Sequence, residues 1–111
     1  MSKFAGSNVM ITGAAQGMGK LFAQMAAERG AARLVLWDIQ ETILEATAEE
    51  LRTLHAGIQV QCQVVDVSIT DTLLKAAQLT GPIDILVNNA GIIVGRFLPT
   101  TPRLRLIALW P

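Results

Sequence analysis

The sequence predicts an α/β protein, built as a parallel sheet with helices on both faces. Three observations predict it. Short apolar runs of strand length alternate with segments of helical periodicity, the connections between them are short, and each apolar run ends in glycine or polar residues. At 111 residues the chain has the length of one small domain. With 51% hydrophobic and 16% charged residues it has the composition of a folded protein, not of a disordered one.

Val9–Ile11 forms the first short strand. It breaks into the turn Thr12-Gly13-Ala14-Ala15-Gln16-Gly17-Met18-Gly19, which opens a helix. Met18, Leu21, Phe22, Met25 and Ala26 recur on one face of that helix, and Gly30 stops it. Leu34–Trp37 is a second apolar strand, ending at Asp38. A helix from about Glu41 to His55 turns Ile43, Thr47, Leu51 and Leu54 inward, and Gly57 ends it. Ile58–Val65 alternates apolar residues with Gln59, Gln61 and Gln63, which suits an outer strand. Ser68-Ile69-Thr70-Asp71 resembles a capping sequence and opens a third helix through Leu79. Gly81-Pro82 turns the chain into a fourth strand, Ile83–Val87, apolar apart from Asp84. The order is β-α-β-α-β-α-β, joined by right-handed crossovers. Four strands in the order 3-2-1-4 are expected.

The zero net charge points to neither nucleic acid nor an acidic partner. No apolar run approaches the ~18 residues of a spanning helix, and no long apolar stretch marks a signal peptide, so the expected location is the cytoplasm. The one cysteine, Cys62, falls in an alternating run and reads as a buried structural thiol. His55 reads as a helix-end residue and Trp37 as apolar filling. Residues 85–111 hold three arginines and no acid, a local balance of +3 against −3 for the rest.

Open parallel sheets bind ligands at the carboxyl ends of their strands. The glycine turn after the first strand brings backbone N–H groups and the positive end of a helix to one point, which suits a phosphate. After the second strand comes Asp38, whose carboxylate can accept hydrogen bonds from a ribose 2′,3′ diol and would repel a 2′-phosphate. Ile39 follows, with no Arg or Lys close by, so NAD is favoured over NADP. Asp66-Val67 ends the third strand and Asn88-Asn89-Ala90-Gly91 the fourth. Each has a plainer reading alone: Asp38 as the cap of the helix at Glu41, Asp66 as a loop cap, the asparagines as turn residues.

These residues together resemble the short-chain dehydrogenase/reductase family. Thr12, Gly13, Gly17 and Gly19 match its T-G-x-x-x-G-x-G pattern, Asn88–Gly91 its N-N-A-G, and Asp66-Val67 its D-V pair. The resemblance covers about residues 4–95 and implies a Rossmann-type fold and a nicotinamide cofactor. It implies that Gly13–Gly19, with Gln16 and the Met18 backbone, hold the pyrophosphate. Asp38 would take the adenosine ribose, and Asp66 with Val67 the adenine edge. Asn88 would tie neighbouring strands, and Ala90 and Gly91 would line the cofactor.

The family's reaction uses a Tyr-x-x-x-Lys pair and a serine, with the tyrosine as general acid/base. This sequence contains no tyrosine, and Ser2, Ser7, Ser68, Lys3, Lys20 and Lys75 all precede the fourth strand. Residues 1–95 therefore read as an NAD-binding half-domain, truncated and inactive by itself, whose full-length family acts on a small-molecule carbonyl or alcohol. Residues 96–111 read as an atypical tail, with Pro99 and Pro102 breaking a helix at its start. The fold would then be incomplete. Ile83–Val87 would be an open apolar edge, inviting self-association. The alternative reading is a non-catalytic regulatory or interaction fragment pairing through that edge. An S-adenosylmethionine methyltransferase shares the glycine turn and the acid after the second strand, but not the N-N-A-G segment.

Overall fold

Along the first strand apolar side chains alternate between two faces, and both faces are covered. That alternation builds the molecule outward from β1 (Asn8–Thr12), where Val9, Met10 and Ile11 are all inaccessible to solvent. The computed structural model describes residues 4–66, 68–89 and 100–108. In chain order follow α1 (Gly17–Glu28), β2 (Arg33–Asp38), α2 (Glu41–Leu54), β3 (Gln59–Val64), α3 (Thr70–Thr80), β4 (Ile83–Asn88) and β5 (Thr100–Ala108). The strands form one five-stranded sheet in the order β3-β2-β1-β4-β5, and every neighbouring pair is parallel.

Alternation along the strands makes two cores. Val9, Ile11, Leu34, Leu36, Ile85 and Val87 face α1 and α2, packing against Ala23, Ala26, Leu44 and Leu51. Met10, Val35, Trp37 and Leu86 face the other way, toward Leu73, Ala76 and Ala77 of α3. Each large side chain so buried contributes about 2 kcal/mol relative to exposure.

Two helices present a stripe that only partly matches the one expected. On α1 the buried residues are Gly19, Ala23, Ala26 and Ala27, while Met18 and Leu21 are exposed. On α2 they are Leu44, Thr47, Ala48 and Leu51, while Ile43 is exposed and Leu54 is 65% exposed. On α1 alanines take the positions facing the sheet, with the expected Phe22 and Met25 partly buried beside them; on α2 Leu44 and Ala48 join the expected Thr47 and Leu51.

The outer-strand reading of β3 holds, and its glutamines have partners. Trp37 Nε1 donates to Gln63 Oε1 at 2.6 Å, and Gln61 Nε2 donates to the Leu79 carbonyl at 3.1 Å. Val60 and Cys62, on the opposite face, pack against the α1/α2 core. Arg33 ties this corner together. It donates to Gln61 Oε1, to the Thr80 carbonyl at 2.6 Å, which the end of α3 leaves unpaired, and to the Pro82 carbonyl in the following turn at 3.0 Å. Burial lowers the pKa of this guanidinium, and the Asp84 carboxylate opposes that by raising it. Asp84 in turn accepts the Asn8 N–H at 2.9 Å.

Three expectations need correction. The capping sequence at Ser68 does not cap: α3 starts after Ile69, which makes no side-chain cap bond, and Ser68 instead donates to Asp66. The sheet has five strands, not four. The segment 96–111 holds β5, which pairs with β4 from Ile83 to Asn88, so β4 is not an open edge. Pro102 is compatible with this because β5 is an outermost strand and the ladder slips around it. Thr100 lies opposite Ile83, whereas Arg105 lies opposite Ile85. Leu104 packs against the α3-side core and Ile107 against the other, as strand alternation requires.

Candidate functional site

All of the parallel strands end on the same side of the sheet, and β1 sits where the chain reverses direction across it. From β1 the chain winds toward β2 and β3, then returns past β1 to β4. Such a switch point leaves a crevice at the strand tips. In register, Thr12 lies beside Trp37 on one side and Asn88 on the other, and Asp38 beside Val64.

The glycine turn fills that crevice and is pinned from both flanks. On the β4 side, the Asn89 N–H donates to Thr12 Oγ1 at 2.9 Å and Asn89 Nδ2 donates to the Gly13 carbonyl at 3.1 Å. Thr12 Oγ1 donates onward to Asn88 Oδ1 at 3.0 Å. On the β2 side, the Ala14 N–H donates to the Trp37 carbonyl at 3.1 Å and the Ala15 N–H to Asp38 Oδ2 at 2.9 Å. Asp38 Oδ1 accepts the Gln40 N–H at 3.0 Å, so the carboxylate also helps to begin α2.

Two glycines show different constraints. A Cβ on Gly19 would overlap the Gly13 carbonyl oxygen and come within 2.9 Å of Asn89 Nδ2, so only glycine lets α1 lie this close to the turn. Gly17 has φ +63° with nothing within 4 Å of where its Cβ would be: its backbone needs glycine, and the space around it is open. Gln16, Gly17 and Met18 are exposed at the start of α1, and the Gln16 side chain makes no capping bond. The first N–H groups of a helix have no carbonyl of their own helix to meet, so this end can offer donors to an anion.

Asp66 stands after β3. The Ser68 hydroxyl and N–H both donate to its Oδ1, at 2.6 and 2.9 Å, and these bonds hold its carboxyl below the usual carboxylate range.

The structure therefore brings Thr12, Gly13, Gln16, Gly17, Met18, Gly19, Asp38 and Asn88 to one place, with Asp66 at the end of the neighbouring outer strand. Thr12, Gly19 and Asn88 are buried and shape the turn; Gln16, Gly17 and Met18 face outward. Val67, Ala90 and Gly91 lie outside the described residues. Asn89 and Thr47 were missed as contributors. Asn89 could have been inferred from its place between two motif residues. For Thr47, an inward threonine among leucines was the one available signal. Among the described residues, no group of three or more His, Cys, Asp or Glu could hold a metal ion.

A family model described as short chain dehydrogenase matches residues 7–104. The chain belongs to the short-chain dehydrogenase/reductase family. It is 38% identical over 95 residues to short-chain dehydrogenase/reductase 3 of Homo sapiens, covering 82% of this chain and 31% of that protein. It is 42% identical over 101 residues to the oxidoreductase UcpA of Salmonella typhimurium, covering 88% and 38%. Among solved structures it is similar to a short-chain dehydrogenase/reductase from Burkholderia phymatum in complex with NAD, with TM-score 0.73 and 36% identity over 83% of this chain and 33% of that one. It is also similar to L-sorbose reductase from Gluconobacter frateurii complexed with NADPH and L-sorbose, with TM-score 0.70 and 33% identity over 79% and 34%. The chain spans about a third of the length of the curated relatives it matches.

Proposed function

We propose that this short-chain dehydrogenase/reductase chain is the NAD(H)-binding part of an oxidoreductase that moves hydride between the nicotinamide and a small carbonyl or alcohol substrate. The observation that carries the reading is the 2.9 Å bond from Ala15 N–H to Asp38 Oδ2. That bond joins the acid after β2 to the glycine turn, which supports a single site for a pyrophosphate and its adjoining ribose.

The residues fit such a group. The open space at Gly17 admits a phosphate close to the backbone, and the N–H groups of Gln16, Gly17 and Met18 would donate to it. Asp38, already oriented by two backbone donors, would accept from the ribose hydroxyls and disfavour a 2′-phosphate, so NAD is preferred to NADP. Asp66, with Oδ1 engaged by Ser68, would accept the exocyclic amine of adenine, with Val67 beside it. Thr12 and Asn88 would hold the turn without touching the cofactor, and Ala90 and Gly91 would line it. When bound, the nicotinamide supplies the hydride chemistry. The chain contains no tyrosine, so the proton donor of that reaction would come from residues other than these.

A cytoplasmic protein with a small-molecule substrate and no nucleic-acid partner is part of this reading. Among the described residues, no helix is long and apolar enough to cross a membrane.

Isothermal titration with NAD, NADP and AMP tests the proposal. Heat is expected from NAD and AMP, with NADP weaker than NAD. Heat from neither NAD nor AMP ends it.

A further inference from the structure

We propose that Thr47, in the second turn of α2, is a positioning residue for the phosphates: its hydroxyl holds the Ala15 carbonyl and so fixes the glycine turn in its ligand-ready shape. This rests on the nucleotide-binding reading above.

The turn has two swivels, Gly13 at φ +66° and Gly17 at φ +63°. The piece between them, Ala14-Ala15-Gln16, sets where the N–H groups at the start of α1 point. Its anchors decide its orientation. Two come from β2, the Trp37 carbonyl and the Asp38 carboxylate, and both accept N–H groups. Anchors on one flank alone would leave the piece free to tilt about them. Thr47 supplies a hold from a different element, donating from Oγ1 to the Ala15 carbonyl at 2.9 Å. Ala15 is thus gripped by both its N–H and its C=O.

Other helical threonines bond nearby in sequence, Thr72 to the Asp66 and Ile69 carbonyls just before its helix. Thr53 donates to the Glu49 carbonyl at 2.9 Å and Thr80 to the Ala76 carbonyl at 2.8 Å, each four residues back in its own helix. Thr47 instead reaches across 32 residues of sequence to the turn. It is 2% exposed and Ala15 is inaccessible, so no water stands ready to replace the hydroxyl. For packing alone, valine would fill the same space without a buried polar group.

The test compares Thr47→Val with Thr47→Ser, which restores the hydroxyl, and with Thr80→Val, the same chemical change at a buried threonine away from the turn. NAD and adenosine, which lacks phosphate, are titrated into each. Thr47→Val is expected to weaken NAD about tenfold, the effect of one lost buried hydrogen bond. It should change adenosine little; Thr47→Ser should recover NAD binding, and Thr80→Val should leave it intact. Equal NAD affinity in Thr47→Val and wild type overturns the proposal. So does an equal loss for NAD and adenosine, which would mark a general structural role. If Thr47→Val does not fold, Thr47→Ala carries the same expectations and the same refutations. If the wild type binds no NAD, the nucleotide reading falls by itself. The grip of Thr47 is then read from amide hydrogen exchange at Ala14 and Ala15, whose N–H groups are bonded and buried: faster exchange in Thr47→Val than in Thr80→Val supports it, and equal exchange overturns it.

Discussion

Replacing Gly19 with alanine puts two effects in opposition, and the structure says which wins. Alanine is the better helix former by about 1 kcal/mol in a helix interior, and by less in the first turn where Gly19 lies. Against this, the added Cβ would overlap the Gly13 carbonyl oxygen, sit 2.7 Å from the Gly13 carbonyl carbon and 2.9 Å from Asn89 Nδ2. Two of these atoms are backbone, and the third, at the end of the Asn89 side chain, is not free to swing away. Gly13 is backbone in a turn, and Asn89 Nδ2 is itself bonded to the Gly13 carbonyl. The helix must move away, losing contact between Ala23, Ala26 and the sheet. Overpacking of this kind costs about 1–3 kcal/mol, so a net loss of about 2 kcal/mol is expected. For 111 residues, an unfolding entropy of about 2.1 cal/mol/K per residue converts that to a fall in Tm of about 9 °C. The assay is thermal unfolding followed by circular dichroism, with Gly57→Ala as control, since a Cβ at Gly57 meets nothing within 4 Å. A Gly19→Ala protein melting within about 2 °C of wild type would refute the reasoning.

Other perturbations have equally definite outcomes. Gly17→Ala meets no neighbour, so its cost is conformational only, about 1–2 kcal/mol for a side chain in the left-handed region; urea unfolding should show it less destabilised than Gly19→Ala. Arg33→Lys should lose about 1–2 kcal/mol in the same assay, because an ammonium cannot span Gln61, Thr80 and Pro82 as the guanidinium fork does; wild-type stability would contradict that role. Ser68→Ala removes one of the two donors to Asp66 Oδ1 and should raise the Asp66 pKa, read by carbon NMR of the carboxyl. Because the folded pKa is depressed, the contribution of Asp66 to stability is present above the ordinary carboxylate value of about 4 and is lost as pH falls through the lower folded value. Between pH 5 and 8 no change from this group is expected, and a transition there assigned to Asp66 would contradict the bonding described.

Much of this architecture was readable from the chain because its signals were local and redundant. Val9–Ile11, Leu34–Trp37 and Ile83–Val87 are apolar runs too short for helices and bounded by turn residues, so strand type and order followed. The glycine turn and Asp38 were readable because few other roles call for that spacing after a strand. What failed depended on how the elements face one another. The exposure of Leu21, Met18 and Ile43 follows from which side of α1 and α2 meets the sheet, which hydrophobic spacing alone does not fix. β5 was hidden by its own composition: Pro102 reads as a breaker, yet an outermost strand tolerates proline. Thr47 and Asn89 act through single long-range bonds to backbone carbonyls, and such bonds leave no periodic trace.

The slip between β4 and β5 has its own consequence for how the chain can vary. Two steps along β4, from Ile83 to Ile85, are matched by five along β5, from Thr100 to Arg105. Length is therefore already in surplus there, and a residue gained or lost between those points lengthens or trims slack. The same change between Arg105 and Ala108 would swap the sides on which Leu106 and Ile107 emerge, sending Ile107 out of its core. Along nine residues of one strand, tolerance to insertion should switch abruptly from permissive to forbidding.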